Sequence, residues 1–306
     1  MKLMAPAGYT DFICTAGACR HTCCAGWEID IDPAALEAYQ RMQGALGEKL
    51  RQVIVPAEDG SFSFALTAEE RCPLLRPDGL CELICQLGPG ALCQVCADHP
   101  RYRHFLSDRI EIGLGLCCEE AARQQLTRWE PFRLTLLEDD GAQEPQDPEE
   151  ATFLRWREDV FALATDRTLP LEERVAHLAA AAGMADERPV TAWAQFFLTL
   201  EQLNEAWTAL LTSLEGWNGK PAPLSAEASL PYEQLLCCLL YRHLTDALED
   251  GRLACHLRLV IVCWRLIRAV AAQHPEVGLP EVVRLFSSEV EYSAENLALL
   301  LDAAEA

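Results

Sequence analysis

The distribution of cysteine constrains this chain more than any other feature of its sequence. The chain has 306 residues and 15 cysteines, and 11 of these lie between Cys14 and Cys118. In a reducing compartment, such a concentration is more typical of metal binding than of a disulfide framework. An even spread along the chain would not support that inference. The sequence therefore predicts a metal-binding module in the first 118 residues.

The clustered cysteines form three groups along the sequence. Short spacings within a group let one loop direct two or three sulfurs to one point, and distant loops can complete the ligand shell. Cys85 and Cys118 lie on predicted helices, where cysteine usually acts as a small buried hydrophobic residue, so they are set aside. The nine candidate metal ligands that remain are Cys14, Cys19, Cys23, Cys24, Cys72, Cys81, Cys93, Cys96 and Cys117.

The spacing of these cysteines favours an iron–sulfur cluster, in particular a 4Fe-4S cluster, over zinc. Structural zinc sites usually pair two Cys-x2-Cys knuckles, and only Cys93 and Cys96 have that spacing. A four-iron cluster takes about four thiolates, so several of the nine have other roles or belong to a second site. Zinc, and no metal at all, remain alternatives. The radical S-adenosylmethionine signature Cys-x3-Cys-x2-Cys fails, because Cys19 and Cys23 are followed by Gly26 at its third position.

The chain is strongly acidic, with 47 Asp and Glu against 25 Lys and Arg, a net charge of −22 and a pI of about 4.6. Nucleic-acid binding depends on Lys and Arg contacts to phosphates, so this balance argues against nucleic acid as a partner, and equally against a membrane surface. A basic protein segment or a cationic small molecule fits better, while solubility alone also accounts for the charge.

Two further observations predict a cytoplasmic protein. The first residues lack the apolar run of a signal peptide. The longest apolar stretch, residues 253–272, contains His256 and three arginines, so we expect a buried helix there and not a membrane span.

The hydrophobic pattern predicts a mainly α protein, with an irregular Cys-rich metal-binding N-terminal module that has little β-structure, followed by a helical bundle. Segment 138–150, EDDGAQEPQDPEE, is acidic and lacks apolar periodicity, so it is the predicted linker. The predicted domains are a cysteine-cluster (iron–sulfur) domain over 1–137, this linker, and an all-helical domain over 151–306.

Local signals place several elements. Residues 1–32 are rich in Gly and Cys and are predicted to be irregular, and residues 61–67 alternate like a strand. Asp32 and Pro33 have the residue types of a helix N-cap and a first helical position. Helices are predicted near 151–165, 171–184, 191–214, 231–249, 252–273, 279–289 and 294–304. The apolar helices among them contain Cys237, Cys238, Cys255 and Cys263, which are expected in the core.

The densest polar cluster beside the predicted metal is ADHPRYRHF, residues 97–105, directly after Cys96. Its His99 could be a ligand, a general base or a structural hydrogen-bonding group. Glu28 follows the first cysteine group, and a carboxylate there could hold a cationic substrate such as a lysine amine. The sequence contains no GxGxxG, P-loop, HExxH or GxSxG motif, so no conventional nucleotide or hydrolase site is visible.

The chain resembles the flagellin lysine-N-methylase family in six segments. Four carry the more specific motifs: GYTDFICTAGACRHTCCAGWEIDID, RCPLLRPDGLCELICQLG, LCQVCADHPRYRHF and IEIGLGLCCEEAAR. The C-terminal segments YRHLTDALEDGR and VEYSAENLALLL are similar too. The resemblance spans nearly the whole chain with the segments in the same order. The cysteine part is also similar to the wider group of zinc- or iron-chelating cysteine-cluster proteins.

The resemblance implies a protein lysine N-methyltransferase that moves a methyl group from S-adenosylmethionine to lysine ε-amines of flagellin or a similar protein, with an iron–sulfur cluster as cofactor. Carried over by motif, the ligands of the cluster would come from the nine cysteines. Methylation needs a neutral amine, and Glu28 and His99 are the candidate catalytic residues that could accept its proton. The alternative is a non-catalytic iron–sulfur or zinc protein, either a redox sensor or an interaction scaffold.

Overall fold

The computed structural model of the chain describes residues 1–57, 59–142, 145–184, 188–217 and 219–305. Gln143 and Glu144 of the predicted linker lie outside the described residues. The strands are β1 (Lys2–Pro6), β2 (Ile54–Pro56), β3 (Phe62–Phe64), β4 (Arg101–Phe105), β5 (Arg109–Leu114) and β6 (Leu134–Asp139). The helices are α1 (Pro33–Arg41), α2 (Gly44–Val53), α3 (Glu82–Leu87), α4 (Gln94–Asp98), α5 (Glu119–Leu126), α6 (Pro148–Ala164), α7 (Leu171–Ala181), α8 (Val190–Phe197), α9 (Glu205–Thr212), α10 (Ala226–His243), α11 (Ala247–Asp250), α12 (Leu253–Gln273), α13 (Leu279–Phe286) and α14 (Ala294–Glu305). The prediction of a mainly α protein is confirmed.

The described chain forms two compact units, each with its own hydrophobic core. The continuous segment Ile13–Arg101 is called the cysteine unit below. The helical unit combines Met1–Phe12 with Tyr102–Ala306. This division differs from the predicted boundaries at 137 and 151, because β1 pairs with β5 and β6 and so joins the start of the chain to residues beyond 102.

A four-stranded sheet lies in the helical unit, with the strand order β4-β5-β1-β6. β1 runs parallel to β5, with Lys2 opposite Arg109, and antiparallel to β6, with Pro6 opposite Leu134. The prediction that residues 1–32 are irregular is therefore wrong at β1. Its five residues become a strand because they find partners on both sides, more than 100 residues away in sequence, which no local pattern reports.

The long helix α12 is central to the helical unit. It packs against α7, α8, α10, α13 and α14, and its buried residues lie all around the helix. The prediction of a buried helix over 253–272 is confirmed, and among the described helices none is long and apolar enough to cross a membrane.

The predicted helix over 191–214 is wrong as one element. α8 ends at Phe197 and α9 begins at Glu205, because the side chain of Asn204 caps α9 by accepting a hydrogen bond from Ala206 N at 2.9 Å. The connecting backbone is held from outside as well, since Glu289 Oε2 accepts a hydrogen bond from Leu203 N at 2.8 Å. These contacts satisfy amide groups that a continuous helix would have used internally.

The cysteine unit has a small core. Its members are Ile29, Ile31, Tyr39, Leu46, Leu50, Phe64, Leu74 and Leu83, together with Cys72 and Cys93. The start of α1 is as predicted: Asp32 is the N-cap, its Oδ1 accepts from Ala35 N at 3.0 Å, and Pro33 follows. β2 and β3 pair antiparallel, with Ile54 opposite Phe64, so the predicted strand over 61–67 is confirmed in its centre.

Candidate metal centre

Backbone pairing brings the second half of the first cysteine group against the start of the second group. Cys72 N donates a hydrogen bond to Cys24 O at 2.8 Å, and Gly26 N donates to Glu70 O at 2.9 Å. Gly26 has a φ of 81°, a left-handed conformation that glycine adopts without steric cost. The glycine that breaks the radical S-adenosylmethionine signature is thus the residue that lets the chain turn after Cys24.

A tight hairpin returns the chain from Cys72 to Cys81. Arg76 N donates to Leu80 O at 2.9 Å, and Glu82 N donates to Leu74 O at 2.8 Å. The sequence RPDGL forms this turn, as its Pro, Asp and Gly indicate. Cys81 consequently lies at the N-cap position of α3.

The short helix α4 carries the only knuckle-spaced pair of cysteines. Cys93 is its N-cap residue and Cys96 lies one turn later. Asp32 Oδ2 accepts a hydrogen bond from Gln94 N at 2.7 Å, while its Oδ1 caps α1. One carboxylate therefore holds the N-termini of α1 and α4 together, and hydrogen bonds from Ala35 and Gln94 lower its pKa.

Several thiols of the cysteine unit lie close enough to change each other's protonation. A hydrogen bond with Cys23 lowers the pKa of Cys24 to about 7, against the opposing effect of burial. Burial, together with repulsion from Cys24, Cys81 and Cys93, raises the pKa of Cys72 to about 11.

The knuckle pair joins the same network. Three effects raise the pKa of Cys96. The largest is a hydrogen bond with Cys93, the next is burial, and the smallest is repulsion from Cys93, Cys24 and Cys72. The same bond lowers the pKa of Cys93. Six of the nine predicted ligands therefore interact with another thiol, namely Cys23, Cys24, Cys72, Cys81, Cys93 and Cys96.

The thiol group supplies soft sulfur donors, which are ligands of zinc and of iron–sulfur clusters. Within the described part of the chain, no three or more Cys, His, Asp or Glu side chains are arranged to hold one metal ion. A zinc ion needs four donors around one point, whereas the thiolates of a four-iron cluster bind separate iron atoms. The chemistry of the six sulfur donors is compatible with such a cluster.

The other cysteines have different surroundings. Cys14 and Cys19 lie beside a short 3-10 turn, where Cys14 Sγ accepts from Ala16 N at 3.4 Å and Cys19 Sγ lies 2.8 Å from Thr15 Oγ1. Cys117 belongs to the helical unit, where burial raises its pKa to about 12 and Tyr292 hydrogen-bonds to it. The assignment of these three as ligands stays a prediction.

The reason for setting Cys85 and Cys118 aside is wrong in part. Cys85 does lie on a helix, α3, but on its exposed face, where its thiol hydrogen-bonds to Arg76. Cys118 is the half-buried N-cap residue of α5. By contrast, Cys237, Cys255 and Cys263 are buried in the helical core, as predicted, and half-buried Cys238 packs against it.

The ring of His99 stacks on the ring of Trp27, which follows the first cysteine group. The two ring centres lie 6.1 Å apart with the ring planes at 27°, and the Trp27 indole N–H donates to Cys23 O at 2.8 Å. Burial, with repulsion from Arg101, lowers the pKa of His99 to about 4. Its buried Nε2 has no hydrogen-bond partner among the described residues. His99 is therefore neutral at pH 7 and holds an unused nitrogen inside the protein.

Glu28 lies in the same stretch of backbone. Its Oε1 accepts a hydrogen bond from Ser63 Oγ at 3.1 Å, next to the isolated β-bridge between Asp30 and Ser63. The structure thus gives Glu28 a partner on β3, whereas His99 has an unpartnered nitrogen. Their assignment as catalytic residues stays a prediction.

A second polar cluster lies inside the helical unit, and no sequence motif indicates it. Glu291 Oε1 is 2.8 Å from His243 Nε2, Ser287 donates to the same carboxylate, and the Arg242 guanidinium lies 4.5 Å from the ring centre of Tyr102. Although burial opposes it, the bond to His243 and the charge of Arg242 lower the pKa of Glu291 to about 2. Ser287–Glu291 forms a π-helical turn, a rare geometry that 3.6-residue periodicity does not reveal.

The cysteine unit thus contains a group of interacting thiols, and comparison with known proteins gives the family of the chain. The chain is 30% identical over 126 residues to the flagellar biosynthetic protein FliU of Salmonella muenchen, which covers 40% of this chain and 75% of that protein. It is 30% identical over 138 residues to the lysine-N-methylases of Salmonella choleraesuis and Salmonella typhimurium. The chain belongs to the flagellin lysine-N-methylase family.

The match to the two lysine-N-methylases covers 44% of this chain but only 34% of each of those proteins. The chain therefore spans about a third of their length. No family model and no solved structure matches the chain.

Proposed function

We propose that the protein is a lysine N-methyltransferase that uses S-adenosylmethionine, acts on lysine ε-amines of a flagellin-type protein, and carries a Cys-ligated iron–sulfur cluster. Membership of the flagellin lysine-N-methylase family is the observation that carries this proposal. The thiol group of the cysteine unit supports the cluster, because soft sulfur donors that interact with one another are the ligands such a cluster takes.

The residues that would hold the cluster come from Cys23, Cys24, Cys72, Cys81, Cys93 and Cys96. Six donors are two more than a four-iron cluster takes, so two of them would stay free thiols. When bound, the cluster would supply Lewis-acidic iron and one-electron chemistry near Trp27 and the ring of His99 that stacks on it.

Methyl transfer itself requires a neutral lysine amine. Its lone pair attacks the methyl carbon, the new N–C bond forms as the C–S bond breaks, and the sulfonium leaves as the neutral thioether of S-adenosylhomocysteine. The displaced proton goes to a base or to water. His99 Nε2 can accept a hydrogen bond from the amine, because it is buried, neutral and unpartnered among the described residues. Its low pKa makes it an acceptor that positions the amine, and the displaced proton goes to water.

The proposal is tested on protein purified without oxygen. Iron and sulfide are counted, S-adenosylmethionine binding is measured by calorimetry, and flagellin is incubated with both and analysed for added methyl groups by mass spectrometry. We expect about four iron atoms per chain, saturable binding and mass increments of methyl groups on lysine. Iron without S-adenosylmethionine binding would overturn the methyltransferase assignment in favour of a non-catalytic cluster protein. Zinc without iron would overturn the cluster.

The role of His99 has a separate test. His99→Asn keeps a polar side chain but removes Nε2, and it should lower kcat by about 10²-fold or more while leaving KM for S-adenosylmethionine unchanged. Glu28→Gln is the matched variant, and a larger loss there would assign the role to Glu28. His177→Asn on the exposed face of α7 is the control, with no expected change.

A further inference from the structure

The outer edge of β6 is open in the described part of the chain. β6 is the last strand in the order β4-β5-β1-β6, so it pairs with β1 on one side alone. An edge strand presents a row of N–H and C=O groups that can pair with another extended segment. Proteins usually cover or blunt such an edge, which makes the chemistry of this one informative.

The side chains of β6 combine apolar and acidic exposure. Leu136 is 53% exposed, which is high for leucine in a strand. Glu138 and Asp139 at the end of the strand are exposed too, and Asp140 after them bonds the amino group of Met1. The sequence continues this charge, with seven acidic residues and neither Lys nor Arg in segment 138–150.

The charge decides which partner this edge accepts. Two copies of the same edge would bring their carboxylates together and repel, so the acidic end acts against self-association. The extra residue of β6 near Leu137, where the register passes from Glu138 opposite Leu3 to Leu136 opposite Met4, adds to that protection. Neither device acts against a cationic strand, which the carboxylates attract.

We propose that the outer edge of β6 is a docking site for an extended, lysine-bearing segment of the substrate protein. The segment adds to the sheet as a fifth strand through main-chain hydrogen bonds. One of its apolar side chains covers Leu136, and its lysines lie near Glu138 and Asp139. This inference rests on the proposed function for the identity of the partner, and it assigns a role to the acidic segment that the cluster leaves unexplained.

The test uses a blocked seven-residue peptide of alternating lysine and valine, with binding measured by calorimetry in the absence of S-adenosylmethionine. A second peptide has the same sequence with alternate backbone amides N-methylated, so it keeps the charge but cannot complete a strand ladder. We expect the N-methylated peptide to bind at least about tenfold more weakly. Equal affinity of the two peptides would overturn docking at a strand edge.

Protein variants separate this edge from the overall charge. E138K with D139K should weaken binding of the lysine–valine peptide at least about tenfold at 0.1 M salt, where charges separated by more than about 10 Å are screened. E215K with E249K changes the net charge by the same amount at exposed positions of the same unit and should leave binding within about twofold. Equal weakening by the two double variants would overturn the site.

The two proposals fail differently. Tight, N-methylation-sensitive peptide binding without methyl transfer to any substrate overturns the methyltransferase function and supports the edge. Methyl transfer with a KM for flagellin that E138K with D139K does not change overturns the edge and supports the function.

Discussion

Cysteine has two different roles in the two units. In the helical unit, Cys237, Cys255 and Cys263 are surrounded by a large apolar core, and burial raises the pKa of Cys237 and Cys263 far above the ordinary value. They are inert packing residues. In the cysteine unit, Cys72 and Cys93 are themselves members of a small core, and their thiols interact with other thiols. The same residue type thus packs a core in one unit and forms a group of interacting thiols in the other.

The difference follows from the size of the two cores. A segment of about 90 residues buries a smaller share of its surface than a larger domain, and small domains often need a metal or disulfides for stability. The helical unit is stabilised by packing around α12 and does not need its cysteines to react. We infer that the cysteine unit depends on what its thiols bind, whereas the helical unit does not.

The largest expected effect is on metal content. The triple variant Cys72→Ala, Cys93→Ala and Cys96→Ala leaves three of the six thiols, fewer than a four-iron cluster takes. It should lose most of the iron from anaerobically purified protein and expose 13–101 to proteolysis. Cys237→Ala, at a buried position of the helical unit, is the control and should keep its iron. Metal analysis and mass spectrometry of the proteolytic fragments measure both effects. Full iron in the triple variant would show that the thiol group does not hold the cluster.

The second effect concerns the ion pair inside the helical unit. Arg157 donates to both carboxylate oxygens of Glu111, at 2.8 and 2.6 Å, and Glu111 is 0% exposed. Arg157→Met should lower the free energy of unfolding by about 3–5 kcal/mol, because it leaves a buried carboxylate without its partner. Adding Glu111→Leu should recover most of that loss. Urea denaturation followed by circular dichroism measures it.

A surface pair in the cysteine unit is the control for that ion pair. Lys49 lies 2.6 Å from Glu82, and both side chains are partly exposed. Lys49→Met should cost no more than about 1 kcal/mol, because solvent screens the pair. Comparable losses in the two units would contradict the view that they are stabilised in different ways.

The third effect is a loss of stability in acid that arises in the helical unit. Burial first, then Arg242 and other cations, lower the pKa of His104 to about 4, and its Nε2 has no hydrogen-bond partner among the described residues. In the unfolded chain this histidine has a pKa of about 6.5, so between pH 6.5 and about pH 4 the unfolded state binds more protons than the folded state. The contribution of neutral His104 to stability is therefore complete above pH 6.5 and is lost as the pH falls.

For wild type, this one group should cost about 2 kcal/mol of unfolding free energy between pH 7 and pH 5. His104→Gln should remove that share of the pH dependence. His177→Gln, at an exposed position, should keep it. Urea denaturation at the two pH values gives the comparison. An unchanged slope in His104→Gln would show that the ring is not buried as a neutral group.

The sequence predicted the features that depend on neighbours along the chain. The cap formed by Asp32 and the buried helix α12 follow from residue type and periodicity over one segment, and both are confirmed. Which of the grouped cysteines are metal ligands stays a prediction. The sequence did not indicate that Cys85 faces solvent, because sequence spacing does not fix the side of a helix that contacts the core.

Features that depend on distant partners could not be predicted. β1 becomes a strand through pairing with β5 and β6, and His243 meets Glu291 across 48 residues at a π-helical turn. Neither segment has a period or a motif that distinguishes it from a loop or an ordinary helix end. Tertiary pairing decided both.

The smallest effect compares two helix caps of the same residue type. Asp32 accepts from the backbone N–H groups of both Ala35 and Gln94 and so serves two helices, α1 and α4. Asp147 accepts from the first amides of α6 alone. At about 1 kcal/mol for each capped helix, Asp32→Ala should cost about 2 kcal/mol and Asp147→Ala about 1 kcal/mol.

Hydrogen exchange followed by mass spectrometry measures the two caps in their own units. Asp32→Ala should increase hydrogen exchange in both α1 and α4. Asp32→Asn should increase it less, because asparagine also caps helices. Asp147→Ala should affect α6 alone. Faster exchange in α1 without any change in α4 would mean that the carboxylate does not hold the Cys93–Cys96 knuckle in place. The position of that knuckle would then depend on its sulfurs, and on the cluster they are proposed to bind.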